Sequence, residues 1–282
     1  MPRTLVSLSL LAVLLASLSG CQNKPISLDV RPGRTLTTIV KTEASVTSSG
    51  VLSDQGSVNS EIEWDMTFGE ERDGIIEVKV SAGSFKSTGK AEGSSIEPEL
   101  LRQALESVDL KLSVSRQGRT VSWSEDGDGL RASGMDQAVS AATATFRAIG
   151  PLGVILPKEP LSKGVSVRME ADLAPILGLK ASDEEGSLSF LAEYIGDDQV
   201  GRREAAKFSW TADSSFLRSI KVQGEIVQAK GKSKSKGVTW VDRRTGLALK
   251  SEWHSTNSLV LGEGIGAINQ QEKGSSLLGS SP

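Results

Sequence analysis

Glu61-Ile62-Glu63-Trp64-Asp65-Met66-Thr67-Phe68 alternates polar and apolar residues without a slip. Successive side chains of an extended chain point to opposite faces, so Ile62, Trp64, Met66 and Phe68 share one face and the acids share the other. That pattern is a half-buried antiparallel strand. After Gly69-Glu70-Glu71-Arg72-Asp73-Gly74 the alternation resumes at Ile76, Val78 and Val80, which makes the pair a hairpin.

The same period recurs outward in both directions. Leu28 to Val46 reads as one long or broken strand. Leu110, Leu112 and Val114 form another, turning at Gln117-Gly118 and returning through Val121 and Trp123. Val165 to Leu173 alternates, as does Leu188 to Tyr194, with a return through Ala206, Phe208 and Trp210. Strands over Ile220–Val227, Gly237–Val241 and Leu247 to about Leu261 complete the set. Two segments break the rule. Glu97–Val108 has Pro98 at a helix start and Leu100, Leu101, Ala104, Leu105 and Val108 on one face; Met135–Ile149 has helical spacing and stops at Gly150-Pro151.

The expected fold is therefore mainly β (α+β): an antiparallel meander forming a curved sheet or incomplete barrel, with two inserted amphipathic helices. Ser87–Ser95 and Pro157–Gly164 read as connectors. Gly262–Pro282 loses apolar periodicity and reads as a flexible tail. EIEWDMTF…IIEVKVSA echoes SLSFLAEY…AAKFSWTA in pattern, so a pseudo-repeat with halves at about 28–130 and 160–261 is entertained within a globular domain of residues 28–261.

The N-terminus has a different character. Arg3 precedes the uncharged apolar run Leu5–Leu18, which is too short for a comfortable transmembrane helix. It ends in Leu18-Ser19-Gly20-Cys21, which resembles the lipobox of bacterial lipoproteins at every position. The resemblance implies cleavage between Gly20 and Cys21, removal of residues 1–20 as a signal peptide, and lipid on the Cys21 thiol. Cys21 is the only cysteine, so no intramolecular disulfide competes for it. Gln22 follows where an Asp tends to retain lipoproteins in the inner membrane. The expected location is the cell envelope: the outer membrane facing the periplasm, if the source has two membranes. Residues 21–27 form a tether of at most roughly 20 Å beyond the anchor.

Composition narrows the function. Without residues 1–20 the chain carries 31 basic and 35 acidic residues, a mildly acidic balance that argues against nucleic acid. His254 is the only histidine, which leaves no histidine-rich metal site and no Cys–His pair. No Gly-x-Ser-x-Gly elbow is present. Glu125-Asp126-Gly127-Asp128-Gly129 imitates a calcium loop, but its twelfth position is Met135. Glycoside chemistry needs only two carboxylates, and no pair stands out. The reading is non-enzymatic, with no cofactor and no metal.

Two groups remain as candidate sites. Trp64, Trp123, Trp210, Trp240 and Trp253 all fall in strand-like segments, either filling a core or lining a cavity for an acyl chain. Lys230, Lys232, Lys234 and Lys236 alternate with small residues and share one side when extended. They suit an anionic surface such as lipid headgroups, or else a solvated hairpin tip or a lysine-guarded edge strand. The layout of strands with tucked-in helices is similar to that of outer-membrane lipoprotein chaperones and mycobacterial lipid-carrying lipoproteins. That likeness implies an envelope lipoprotein binding a hydrophobic or amphipathic ligand. The alternative is a scaffolding lipoprotein that recruits an envelope protein through sheet edges or the tail.

Overall fold

The computed structural model describes residues 25–50, 54–91, 98–125, 143–177, 179, 184–222, 225–262 and 266–279. The residues quoted for the signal and Cys21 lie outside that set. Eleven strands form one antiparallel sheet: β1 (Thr35–Gly50), β2 (Asp54–Arg72), β3 (Ile75–Ala91), β4 (Asp109–Ser115), β5 (Thr120–Glu125), β6 (Ser166–Asp172), β7 (Glu185–Val200), β8 (Arg203–Val222), β9 (Glu225–Asp242), β10 (Ala248–Leu261) and β11 (Gly266–Leu278). Among the described residues, short helices lie at α1 (Pro98–Glu106), α2 (residues 143–148) and α3 (Ala174–Leu177).

The strand order is β5-β4-β3-β2-β1-β11-β10-β9-β8-β7-β6. Two up-and-down meanders, β1–β5 and β6–β11, are joined where the first strand pairs with the last. The edges β5 and β6 are consecutive in sequence yet do not pair, so the sheet stays unclosed. Both edges are short, at 6 and 7 residues, which limits the row of free backbone groups.

The sheet is strongly curled at one end. Laid flat, eleven strands would hold β5 and β6 about 48 Å apart. Instead, Arg147 of α2 reaches Glu125 at the end of β5 (3.0 Å) and the carbonyl of Ile176 in α3 (3.5 Å). The segment between the edges crosses the opening. Thr120 donates its amide to Ile149, and Leu156 donates to Gln117; on the other side Gly164 donates to Tyr194. Leu152, Val154, Ile155, Leu156 and Leu161 of this segment are buried in the same core as Phe68, Val80, Leu110, Phe190 and Phe208. A second strap comes from the N-terminal segment. Leu28 donates to Arg116 in the β4–β5 turn, and the next residue, Asp29, donates to Thr245 in the β9–β10 turn. Register shifts at Glu63/Trp64 and Tyr194/Gly196 mark bulges in the β2–β3 and β7–β8 pairs, the usual device for bending strands.

Several expectations need correction. Gly262–Pro282 is not a free tail: Gly266–Leu278 is β11, in the middle of the sheet and paired on both sides with β1 and β10. Its Ser, Gly and Gln residues lie where the sheet has little packed core, so apolar alternation is absent although the backbone ladder is complete. For the same reason residues 87–91 belong to β3 rather than to a connector. Ile220–Val227 is not one strand; it spans the end of β8 and the start of β9. Lys230–Lys236 lies inside β9, between β8 and β10, so it is neither a hairpin tip nor an edge. Of the second expected helix, residues 135–142 lie outside the described set and residues 143–148 are helical.

Candidate functional site

The long strands β1, β2, β3 and β7 to β11 run well past the short edges, and the inner face of the half away from the two straps is called the trough. Register fixes which side chains share its inner face. One row runs Phe190, Ala212, Ser235, Ser255, Glu272, Ala44 and Val58 across seven strands. The face is continuous with the core because Phe190 is fully buried.

Beyond that core the inner face carries Val46, Val58, Phe216, Leu259 and Ile268. All five are half-buried and belong to neither packed cluster, whereas at the far end of the same face the cross-strand pair Leu261 and Ala229 is buried. Between these aliphatics and the core lies a polar waist. Trp253 Nε1 donates to Glu272 Oε1 (3.2 Å), and Gln270 Nε2 donates to Glu272 Oε2 (3.3 Å). Trp210 Nε1 donates to Thr239 Oγ1 (3.1 Å), which pairs with Ser251 Oγ (2.9 Å). The indole poles are thus satisfied while the ring faces stay available, the amphipathic use to which Trp is suited.

Three aromatic rings lie flat against the trough floor because their neighbours are glycines. Trp210 covers Gly237, Trp253 covers Gly274, and Phe216 covers Gly231; a Cβ at any of the three would collide with the ring. Each ring leans onto the following strand in chain order. A tilted ring occupies width instead of height above the floor. This covering of strand glycines by neighbouring aromatics is a known way to stabilise such positions.

The five tryptophans therefore divide. Trp210 and Trp253 border the trough. Trp64 is 2% exposed and meets Phe146 edge-on at 5.1 Å, so it fills the core. Trp123 lies beneath the Arg147 guanidinium, 4.4 Å from the ring centre. Trp240 is on the other face, cross-strand from Lys207 and Lys250, whose ammonium groups lie 5.0 and 4.9 Å from its ring. Its place there is a correction: Trp240 lines no inner cavity. Its Nε1 donates to Asp198 Oδ2 (2.8 Å), and that bond, with the Gln199 amide, holds the Asp198 carboxyl below its ordinary range.

The core's charged residues serve the fold. Arg147, 3% exposed at the side chain, pairs with Glu125 and seals the opening between β5 and α3. Burial pulls its pKa down, and Glu125 opposes that shift; an arginine nevertheless stays charged. Arg243 bonds Tyr194 (2.9 Å) and pairs with Asp197 across the closed end.

The opposite face offers a second hollow of about 660 Å³ bordered by Lys41, Glu43, Glu61, Lys86, Glu252, His254 and Lys273, with Trp253 and Gly274 also at its border. Lys41 and Lys86 both reach Glu61, at 2.9 and 3.7 Å, and their contact lowers its pKa. Acids and bases there cancel, so no net charge selects a ligand. His254 sits cross-strand between Lys236 and Lys273, with no acid beside it in that row. Among the described residues no group of three His, Cys, Asp or Glu is placed to hold a metal ion. No described helix is long and apolar enough to cross a membrane.

No family model matches this chain, and no curated protein matches it either. Among solved structures it is similar to lipovitellin, in a study of its lipid–protein interactions, at TM-score 0.45 and 8% identity over 89% of this chain. The chain spans about a quarter of the lipovitellin chain, 25%. It is also similar to an exported protein with a YmcC-like fold from Bacteroides fragilis NCTC 9343, at TM-score 0.29 and 9% identity over 90% of this chain and 97% of that one. A COG4313 outer-membrane channel from Pseudomonas putida F1 matches at TM-score 0.26 and 9% identity, covering 92% and 98% of the two chains.

Proposed function

We propose that this protein is a non-enzymatic envelope lipoprotein, anchored by lipid on Cys21, that holds a hydrophobic or amphipathic ligand in the trough. One observation carries the reading. The inner face continues past the packed core as half-buried aliphatics and flattened aromatic rings, with a polar waist at Trp253, Glu272 and Gln270. An acyl chain suits the aliphatic floor, and a polar head suits the waist. Burying a chain there is favoured by about 0.8 kcal/mol per methylene withdrawn from water. The Leu28 strap that follows the proposed lipid anchor binds the closed end of the sheet, so the trough lies toward the far end of the domain. The anchor sits in the outer membrane, facing the periplasm, where two membranes exist.

The scaffolding alternative loses one of its two routes, because the tail it would use is β11. The ligand reading is tested with the full chain carrying Cys21→Ser, titrated with a brominated fatty acid. Bromine within contact range quenches indole fluorescence. Saturable quenching that falls in Trp210→Phe and Trp253→Phe but not in Trp240→Phe supports the trough. Quenching carried by Trp240 alone, or none at all, rejects it.

A further inference from the structure

The face of β8, β9 and β10 opposite the trough has a composition of its own. Lys230, Lys232, Lys234 and Lys236 project from β9 at every second residue, all exposed, over about 20 Å. Their cross-strand partners on β8 are Leu217, Ser215, Asp213 and Thr211, and on β10 Val260, Ser258, Thr256 and His254. Asp213 is the only acid among these eight, and Lys273 stands one strand further on beside His254. An edge-strand guard is no explanation, since β9 is paired on both sides. At the end of the same stripe lie Ile226, 79% exposed, and Val260, 49% exposed, with Leu217 beside Lys230. The face is thus a ladder of cations ending in aliphatics that nothing described covers.

We propose that this face docks on an anionic bilayer surface, with the β9 lysines at the headgroups and Ile226 and Val260 entering the interface. Basic groups near such a surface contribute individually and are screened by salt, and apolar residues inserted beside them anchor the contact. A linear polyanion would use the lysines but would have no use for the aliphatics, so the paired features favour a membrane. The surface is distinct from the trough, and its failure would leave the ligand reading untouched.

The test uses the full chain with Cys21→Ser and Ile226→Cys, so that a polarity-sensitive fluorophore occupies the only thiol. Vesicles of phosphatidylcholine alone are compared with vesicles that also contain phosphatidylglycerol. A blue shift only on the anionic vesicles, reversed by high salt, is expected. Changing all four lysines to Gln should weaken partitioning by at least about tenfold, whereas changing them to Arg should preserve it. No blue shift on anionic vesicles overturns the proposal, and so does a shift that survives the four Gln changes. Binding of soluble polyphosphate without any vesicle response would assign the stripe to a polyanion and likewise overturn it.

Discussion

Trp253 on β10 lies across Gly274 on β11, and the absence of a Cβ at 274 is what lets the ring lie down. The contact ties an aromatic of the trough to a strand made mostly of small and polar residues. Gly274→Ala therefore forces the ring upward into the trough. We expect a loss of about 1–3 kcal/mol from overpacking, read as a lower urea midpoint, with a shifted tryptophan emission. Gly237→Ala should cost at least as much, because its Cβ would also meet the Glu252 carbonyl at 2.6 Å, which cannot rotate away.

Removing residues 266–282 tests the role of β11. The strand links the two meanders, so its loss leaves β1 paired only with β2 and β10 paired only with β9, each with one open edge. Circular dichroism and limited proteolysis should show loss of cooperative unfolding and cleavage within β1 and β10. An unchanged melting curve would mean that the meanders hold together without it.

Arg147 and Glu125 close the opening between the sheet edges. Arg147→Met leaves the Glu125 carboxylate with one oxygen lacking a partner in the fold already and the other newly stranded. Glu125 keeps some solvent access, so the cost is set at about 2–3 kcal/mol, below that of a fully buried pair. Arg147→Met with Glu125→Leu should recover most of it in a denaturation series. If the double change is as unstable as the single one, the pair does more than balance charge.

Acid sensitivity follows from Asp198. Its folded pKa is depressed, so the stability it contributes is present above the ordinary carboxylate value and is lost as pH falls through the lower folded value. Trp240→Phe removes the indole donor and should bring acid unfolding to a higher pH. The variant's stability at neutral pH should fall as well, since the bond is also lost there.

How far the sequence reveals this fold depends on where a strand meets the core. Trp64 to Phe68 and Leu188 to Tyr194 are legible because every second residue is buried, and apolar residues are required there. Gly266–Leu278 is not legible, because its inner face meets ring edges and a polar waist that accept Gly, Gln and Glu. The lysines of β9 are misleading for a related reason: a strand paired on both sides can still expose one whole face. Trp240 shows a third limit. A register shift between Ala248 and Lys250 turns Leu249 toward the outer cluster with Trp240, and no local period signals it. The closure between β5 and β6 rests on side chains far apart in sequence, which no alternation encodes.

The central claim is that the trough is occupied by an amphiphile. Native mass spectrometry of the full chain with Cys21→Ser, purified without detergent and then incubated with mixed phospholipids and fatty acids, tests it most directly. The account predicts a discrete adduct of lipid mass at one-to-one stoichiometry, lost when Val58→Trp and Ile268→Trp fill the aliphatic floor. A bare protein mass under all these conditions, or an adduct that survives the filled trough, would contradict it.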